Sequence, residues 1–383
     1  MLNIVPLFLA HQHERLLQLT LFDLENLSSP FDDKLNRSLI EKMVAEYYIP
    51  AGELLLKLAG RYGQAFKFAL MLSGSLLELL KRYNTQGMDL FRRIVESGCA
   101  ELVFAPCYSA LSALYDQEEY LSQIERHHAL LEEEFGVDPV VFYHDGPLDV
   151  GEVAEVLASR ELRVLLIRKP ANMNLISGAY HISDGQFNLL MCCDIDTYSQ
   201  KGLNATVLER NSGDKENVWV CPVAHLEKTD RRFFSTFRGL VHRTTRGKGT
   251  RLFFPSEIAS VQSGDFKEYS PLEVESGRHI VKQEQGTSPG AISSPGAICE
   301  GKHSSRGMDL GELERNAATV LFSLTGEARR KGDTAVLEEL RRLSVDDHFY
   351  EMRAENENVY LTFLWALTYF EIAMTTRKDR SDL

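Results

Sequence analysis

No two of the six cysteines, at 99, 107, 192, 193, 221 and 299, have the C-x₂-C spacing that a structural zinc site or a redox dithiol requires. Scattered in this way, they are expected to be reduced core residues of a cytoplasmic protein. Positive charge is also scarce, with 42 Lys and Arg against 55 Asp and Glu and a net charge of −13. A nucleic-acid partner would need a clustered basic face, so none is expected, and a small molecule or a neutral polymer fits better. Apolar runs fall short of the roughly 20 residues that span a bilayer. The longest, Val359 to Met374, is interrupted by Thr362, Thr368 and Glu371, which predicts a buried helix and no membrane contact. Met1 to Ala10 is apolar but has no basic flank, and it reads as a first strand, not as a signal peptide. No glycine-rich phosphate loop and no nucleophile elbow occurs, so no cofactor is expected. The spacing of His, Cys and acidic residues marks out no metal site either.

Hydrophobic residues, at 44%, are numerous enough to build a sizeable core in 383 residues. Short apolar runs alternate with segments of helical period, the pattern of βα units around a parallel sheet. Strands are expected at Asn3–Ala10, Phe66–Leu72, Glu101–Phe104, Val140–His144, Arg163–Ile167, Phe187–Asp194, Val218–Val223 and Arg251–Phe254. Their continuous apolar character suits a barrel, whose strands are buried on both faces. Helices are expected over Leu35–Glu46, Gly52–Tyr62, Glu118–Phe135 and Val150–Ser159, with Pro50 and Gly63 placed to start and stop the second. Residues 283–307 are rich in Gly, Ser and Pro and contain a duplication, Ser288 to Ile292 and Ser294 to Ile298. Such a segment buries too little to offset the entropy of ordering it. Three amphipathic helices follow, at Leu310–Lys331, Thr334–Leu343 and Val359–Thr376. The chain therefore divides into a barrel domain (1–265), a linker or long loop (266–308) and a helical C-terminal domain (309–383).

In parallel β/α barrels the reactive groups come from the C-terminal ends of the strands. The first strand ends in His11-Gln12-His13, imidazoles and an amide that suit sugar hydroxyls because each offers a donor and an acceptor. Glu101 and Tyr108 belong to the third strand and its loop, and His144 and Asp145 close the fourth. The sixth ends in Asp194 and Asp196, two carboxylates on one side of an extended chain. His11, Gln12, His13, Glu101, Tyr108 and His144 are the candidate substrate-binding residues, and Asp145, Asp194 and Asp196 the candidate carboxylates.

Taken in order, these segments resemble glycoside hydrolase family 57, the α-amylase-like family. Leu7 to His13 resembles its first motif, an apolar strand ending His-Gln-Pro, with His13 in place of the proline. Tyr48 to Leu55 is similar to its Pro-Ala-Asn-Glu-Leu-Leu segment, and Phe66 to Gly74 to its second strand. Phe254-Pro255-Ser256-Glu257 is similar to its Thr-Pro-Ser-Glu turn, and Asp347 to Met352 to its Ser-Asp-His-Phe-Tyr-Tyr-Met signature. The resemblance implies an α/β fold, an irregular (β/α)7 barrel followed by a C-terminal helical bundle. It also implies retaining chemistry at α-glucosidic bonds, with a Glu nucleophile and an Asp acid/base about 5–5.5 Å apart.

At the site positions the resemblance fails. The nucleophile strand aligns with Phe142 to Leu148, and the glutamate falls on Gly146. Asp145 is one residue away, which on a strand means the opposite face. By chain order the acid/base segment aligns with Val220 to His225, with no acid before Glu227, whereas by similarity of letters Asp194 to Ser199 matches better. Ala105 and Ser109 replace a charged and an imidazole member of the family's third-strand motif, while Pro106 and Tyr108 remain. These differences predict a protein that binds α-glucans with hydrolysis lost or strongly reduced. The alternatives are an active hydrolase or glucanotransferase with relocated carboxylates, and a metal-assisted deacetylase with ligands among His11, His13, His144 and Asp145.

Overall fold

The computed structural model describes residues 2–168, 179–182, 188–194, 218–261, 267–269 and 310–381, apart from 21, 25–26, 149, 159–161, 248 and 354–356. Asp196 and the Ser288–Ile298 duplication lie outside the described residues. The first half of the chain holds β1 (Leu2–Ile4), β2 (Leu7–Ala10), α1 (Asp33–Met43), α2 (Ile49–Tyr62), β3 (Phe68–Leu72), α3 (Gly74–Tyr83), α4 (Thr85–Glu96) and β4 (Ala100–Val103). Then come α5 (Ser112–Tyr115), α6 (Gln117–Phe135), β5 (Val141–His144), α7 (Val150–Val156), β6 (Val164–Arg168), β7 (Ala179–Ile182) and β8 (Asn188–Asp194). β9 (Val218–His225), α8 (Arg231–Arg246), β10 (Thr250–Leu252) and β11 (Lys267–Tyr269) complete the sheet region. The tail comprises α9 (Glu312–Lys331), α10 (Thr334–Leu343), α11 (Asp346–Arg353) and α12 (Glu357–Ser381).

Seven parallel strands close on themselves. β2 pairs with β3, β3 with β4, β5 with β6, β6 with β8, β8 with β9, and β9 returns to β2. The remaining seam, between β4 and β5, is joined by the parallel bridge from Phe104 to Phe142. This is the expected (β/α)7 barrel with its helical bundle. Two expected strands differ from the reading above. Pro6, which has no N–H to donate, splits the first run into β1, beside β9 and β10, and β2, beside β3 and β9. The run at Arg251–Phe254 becomes β10, which pairs with β1 and lies off the ring.

Alternation along the strands sorts side chains into two layers. Leu7, Leu9, Met71, Val103, Val141, Tyr143, Leu166, Cys221 and Val223 pack together with no α-helix residue in their cluster, so they fill the barrel interior. Phe8, Leu70, Phe142, Leu165 and Ala224 pack instead with Leu55, Leu77, Phe91 and Phe237 of the surrounding helices. Both layers are almost fully buried, which is why the strands read as continuous apolar runs and not as alternating ones.

The tail has its own core, centred on Leu321, Phe349, Phe363 and Phe370, and barrel loops contribute Phe31 and Leu111 to it. Buried charges reinforce the docking. Glu119 of α6 is fully buried and pairs with Arg341 (2.8 Å) and Arg329 (2.9 Å). Glu14, just beyond β2, pairs with Arg82 and Arg342. Asp346 accepts hydrogen bonds from the Ser109 hydroxyl (2.6 Å) and the Ala110 N–H (3.0 Å). No helix among the described residues is long and apolar enough to cross a membrane.

Candidate functional site at the barrel mouth

Leu7 and Leu9 face the barrel interior, and the two-residue period carries that direction to His11, just past the end of β2. There His11 meets the tail. Its Nε2 lies 2.7 Å from Asp347 Oδ2, and its Nδ1 lies 2.8 Å from Ser73 Oγ at the end of β3. Ser73 is itself fixed as the N-cap of α3, accepting the Leu76 N–H. His13 is buried, with Nδ1 3.3 Å from Asp347 Oδ1 and Nε2 3.3 Å from Glu351 Oε1. Arg15 also lies against His13 Nε2. His348 packs edge-on to His13, with ring centroids 5.2 Å apart. Tyr48 donates its hydroxyl to the His11 carbonyl oxygen (3.2 Å), and the Gln12 side chain also reaches that hydroxyl.

The electrostatics follow from this crowding. Burial works against a charge on His11, but the Asp347 carboxylate outweighs it, aided by Glu227 and Asp346, and raises the pKa. Burial likewise works against charge on Asp347, yet His11 and His13 hold it well below the usual carboxylate range. Its neighbour Asp346, fully buried, is pushed up to about 6 by desolvation, against the hydrogen bonds from Ser109 and Ala110. Two adjacent carboxyls are therefore shifted in opposite directions, because one faces imidazoles and the other is fully desolvated against a loop. His348 is lowered to about 3 by burial and by the nearby His13.

The other expected residues fall in different places. Asp145 follows Val141 and Tyr143 on the inward parity of β5, not on the opposite face, and pairs with Arg168 Nη1 (3.1 Å) and the Tyr143 hydroxyl (3.3 Å). His144 takes the outward parity, stacks on Phe142 and is fully buried, with Nε2 3.0 Å from the Leu148 carbonyl oxygen. It therefore does not join His11 and His13, and the ligand set His11, His13, His144 and Asp145 is not assembled. Glu101 points inward, but at the N-terminal end of β4, where it accepts the Ser256 N–H (2.9 Å) and stays away from the mouth. Burial, the largest influence, raises its pKa. Tyr108 donates to Glu78 Oε1 (2.6 Å) beneath Arg126, on the helical exterior. Asp194 ends β8 opposite Val223.

Sequence reasoning did not assign Asp347, Glu351 or Glu227 to the site. Glu227 follows β9, its Oε2 is buried with no hydrogen-bond partner among the described residues, and its charge acts on both His11 and Tyr48. The available signal was its position as the first acid after the β9 strand. Asp347 and Glu351 were visible only as part of a tail signature.

Residues 7–173 match the sequence profile of glycosyl hydrolase family 57. A curated Methanocaldococcus jannaschii protein carrying an alpha-amylase designation is 26% identical over 170 residues, 40% of this chain and only 36% of that protein. A GH57 branching enzyme of Thermococcus kodakaraensis superposes over 96% of this chain and 88% of its own, with TM-score 0.63 and 11% identity. An alpha-amylase of Thermotoga maritima superposes over 98% and 94%, with TM-score 0.59 and 11% identity. A 4-alpha-glucanotransferase of Thermococcus litoralis superposes over 68% of this chain and 40% of its own, with TM-score 0.51 and 18% identity. At such identities the solved structures are alike in fold, and their activities are their own.

Proposed function

We propose, from the match of residues 7–173 to glycosyl hydrolase family 57, that the chain is a member of that family and binds an α-glucan or a related oligosaccharide at the C-terminal mouth of its barrel, with hydrolysis lost or strongly reduced. The observation that carries this reading is at Gly146, the position aligned with the nucleophile. A Cβ there would come within 2.7 Å of His144 Cε1 and 2.8 Å of Ala110 Cβ. The volume a carboxylate side chain would enter is thus already filled. A retaining mechanism needs an ionised nucleophile and a protonated partner on either side of the anomeric carbon. Losing members of such a pair costs many orders of magnitude in rate. The polar groups that remain at the mouth, His11, Gln12 and Asp347, are suited to sugar hydroxyls. The buried cysteines 99 and 107, which form no disulfide, support a reducing, cytoplasmic setting.

Purified full-length chain incubated with starch and maltooligosaccharides is expected to release no reducing sugar. A maltooligosaccharide is expected to raise its melting temperature through linkage. Turnover abolished by Asp145→Asn or Asp194→Asn would overturn the loss of activity, and no thermal shift with any α-glucan would overturn the binding.

A second reading rests on Asp145. Its inward parity, shared with Val141 and Tyr143, and the Arg168 guanidinium at 3.1 Å support a relocated nucleophile. That reading requires activity lost in Asp145→Asn and retained in Asp347→Asn.

A further inference from the structure

His11, His13 and Asp347 each present one donor atom, and the three atoms lie within 4.8 Å of one another. We infer that this cluster is a binding site for a divalent transition metal of the zinc class, held by His11 Nε2, His13 Nδ1 and an Asp347 carboxylate oxygen. Two imidazoles and one carboxylate are a donor set that favours zinc-like ions over calcium or magnesium, which prefer all-oxygen shells. Ligand bonds of about 2.0–2.2 Å set tetrahedral donors roughly 3.3 Å apart, so the 2.7 Å contact of His11 Nε2 with Asp347 would open slightly and the wider donor separations, all within 4.8 Å, would draw in.

The orientation of the rings argues for more than a set of ion pairs. A metal-binding histidine is ordinarily fixed through its other ring nitrogen. Here His11 Nδ1 is 2.8 Å from Ser73 Oγ, so that a proton on Nδ1 leaves the Nε2 lone pair facing Asp347. His13 Nε2 is 3.3 Å from Glu351 Oε1, on the side away from Asp347, with Arg15 against the same nitrogen. Arg15 partly balances Glu351 and leaves Asp347 as the carboxylate available to a cation. Without a cation, His11 Nε2 and His13 Nδ1 must each carry a hydrogen to face the same carboxylate, on rings stacked 6.2 Å apart. One divalent ion replaces both protons.

A further buried imidazole adjoins the cluster through His13. His348, only 2% exposed, has an Nε2 with no hydrogen-bond partner among the described residues. It forms an adjoining group with His13 and Glu351 whose donor atoms also lie within 4.8 Å. A buried imidazole nitrogen left unpaired is costly unless something binds there. A three-residue ligand set leaves a coordination position for an external molecule, and at this mouth a water or a sugar hydroxyl would take it. His13, the member that stands in place of the family's proline, completes the set.

The test uses full-length chain stripped with a chelator and titrated with Zn²⁺ alone by calorimetry, without glycan, so its outcome is independent of the glucan reading. One equivalent is expected to bind per chain. His11→Gln and Asp347→Asn are each expected to weaken it at least about 100-fold with unchanged circular dichroism, the upper range seen even for outer-shell losses. Asp145→Asn is expected to leave it unchanged. X-ray absorption of the zinc-loaded wild-type chain needs no variant and is expected to show imidazole nitrogens in the first shell. No saturable binding, binding that survives Asp347→Asn in a folded variant, or a first shell without imidazole would each overturn the assignment.

Discussion

His11 and Asp347 are 336 residues apart in the chain and 2.7 Å apart in space. The first strand of the barrel ring and the third helix of the tail meet through this contact at the C-terminal mouth. Ser73 on one side and His13 on the other complete it.

Asp347→Asn should bring the His11 pKa down, because the Asp347 carboxylate is what overcomes the effect of burial. The imidazole titration of chelator-treated protein, followed by NMR, reads this directly. Stability should fall by only about 1–2 kcal/mol, since Asp347 is about a third exposed and solvent screens the pair. An unchanged His11 titration would contradict the assigned cause.

Glu119→Ala should be far more damaging. Glu119 is fully buried between Arg329 and Arg341, and its removal takes away the buried carboxylate that both guanidinium groups share, leaving Arg329 to Asp116 and Arg341 to Glu338. Breaking such a buried pair costs about 3–5 kcal/mol. A urea midpoint near that of the wild type would show that this buried carboxylate does not hold the tail.

Gly146→Glu should not restore hydrolysis. The new side chain would displace His144 and Ala110, and such overpacking costs about 1–3 kcal/mol. A lower melting temperature without reducing-sugar release is the expected result. Any gain of turnover would mean that the mouth can accept a nucleophile at 146.

Acid should weaken the fold through His127. This buried imidazole lies 2.7 Å from the Leu72 carbonyl oxygen and accepts the Ala105 N–H at 2.9 Å. Burial lowers its pKa from 6.5 to about 4, against the opposing hydrogen bonds. Between those values the unfolded chain binds a proton that the folded chain refuses, so stability falls as pH drops from 6.5 toward 4. The contribution at stake is about 3 kcal/mol. His127→Gln should be less stable at pH 7 yet show a flatter decline between pH 6.5 and 4.5. Parallel declines would exclude His127 as the cause.

Much of the fold is legible along the chain because it rests on local chemistry. Leu7 to Ala10, Phe68 to Leu72 and Val164 to Arg168 are apolar on both parities because one face fills the barrel and the other meets helices. Pro6 could have been read as a break, since it cannot donate to a neighbouring strand. The site was legible in part. A polar triplet, His11-Gln12-His13, directly after an apolar run stands out at a strand end. Glu101 misled because a carboxylate at the wrong end of a strand has the same letter pattern as one at the mouth. Asp145 misled in the other direction, because the inward parity is set by Val141 and Tyr143 and not by an alignment to Gly146.

Local periodicity and residue type dictate which segments become strands and helices, and the excess of acid over base is a matter of composition alone. Closure of the ring depends on one bridge, Phe104 to Phe142, that no local pattern signals. The same holds for α11, which carries Asp347 and Glu351 to His11 and His13. Their convergence is a product of long-range packing, in which the tail core and the buried Glu14 and Glu119 ion pairs hold the tail against the barrel. Side chains hundreds of residues apart become neighbours only when that packing closes, so the chemistry of the mouth belongs to the folded molecule and not to any one segment of it.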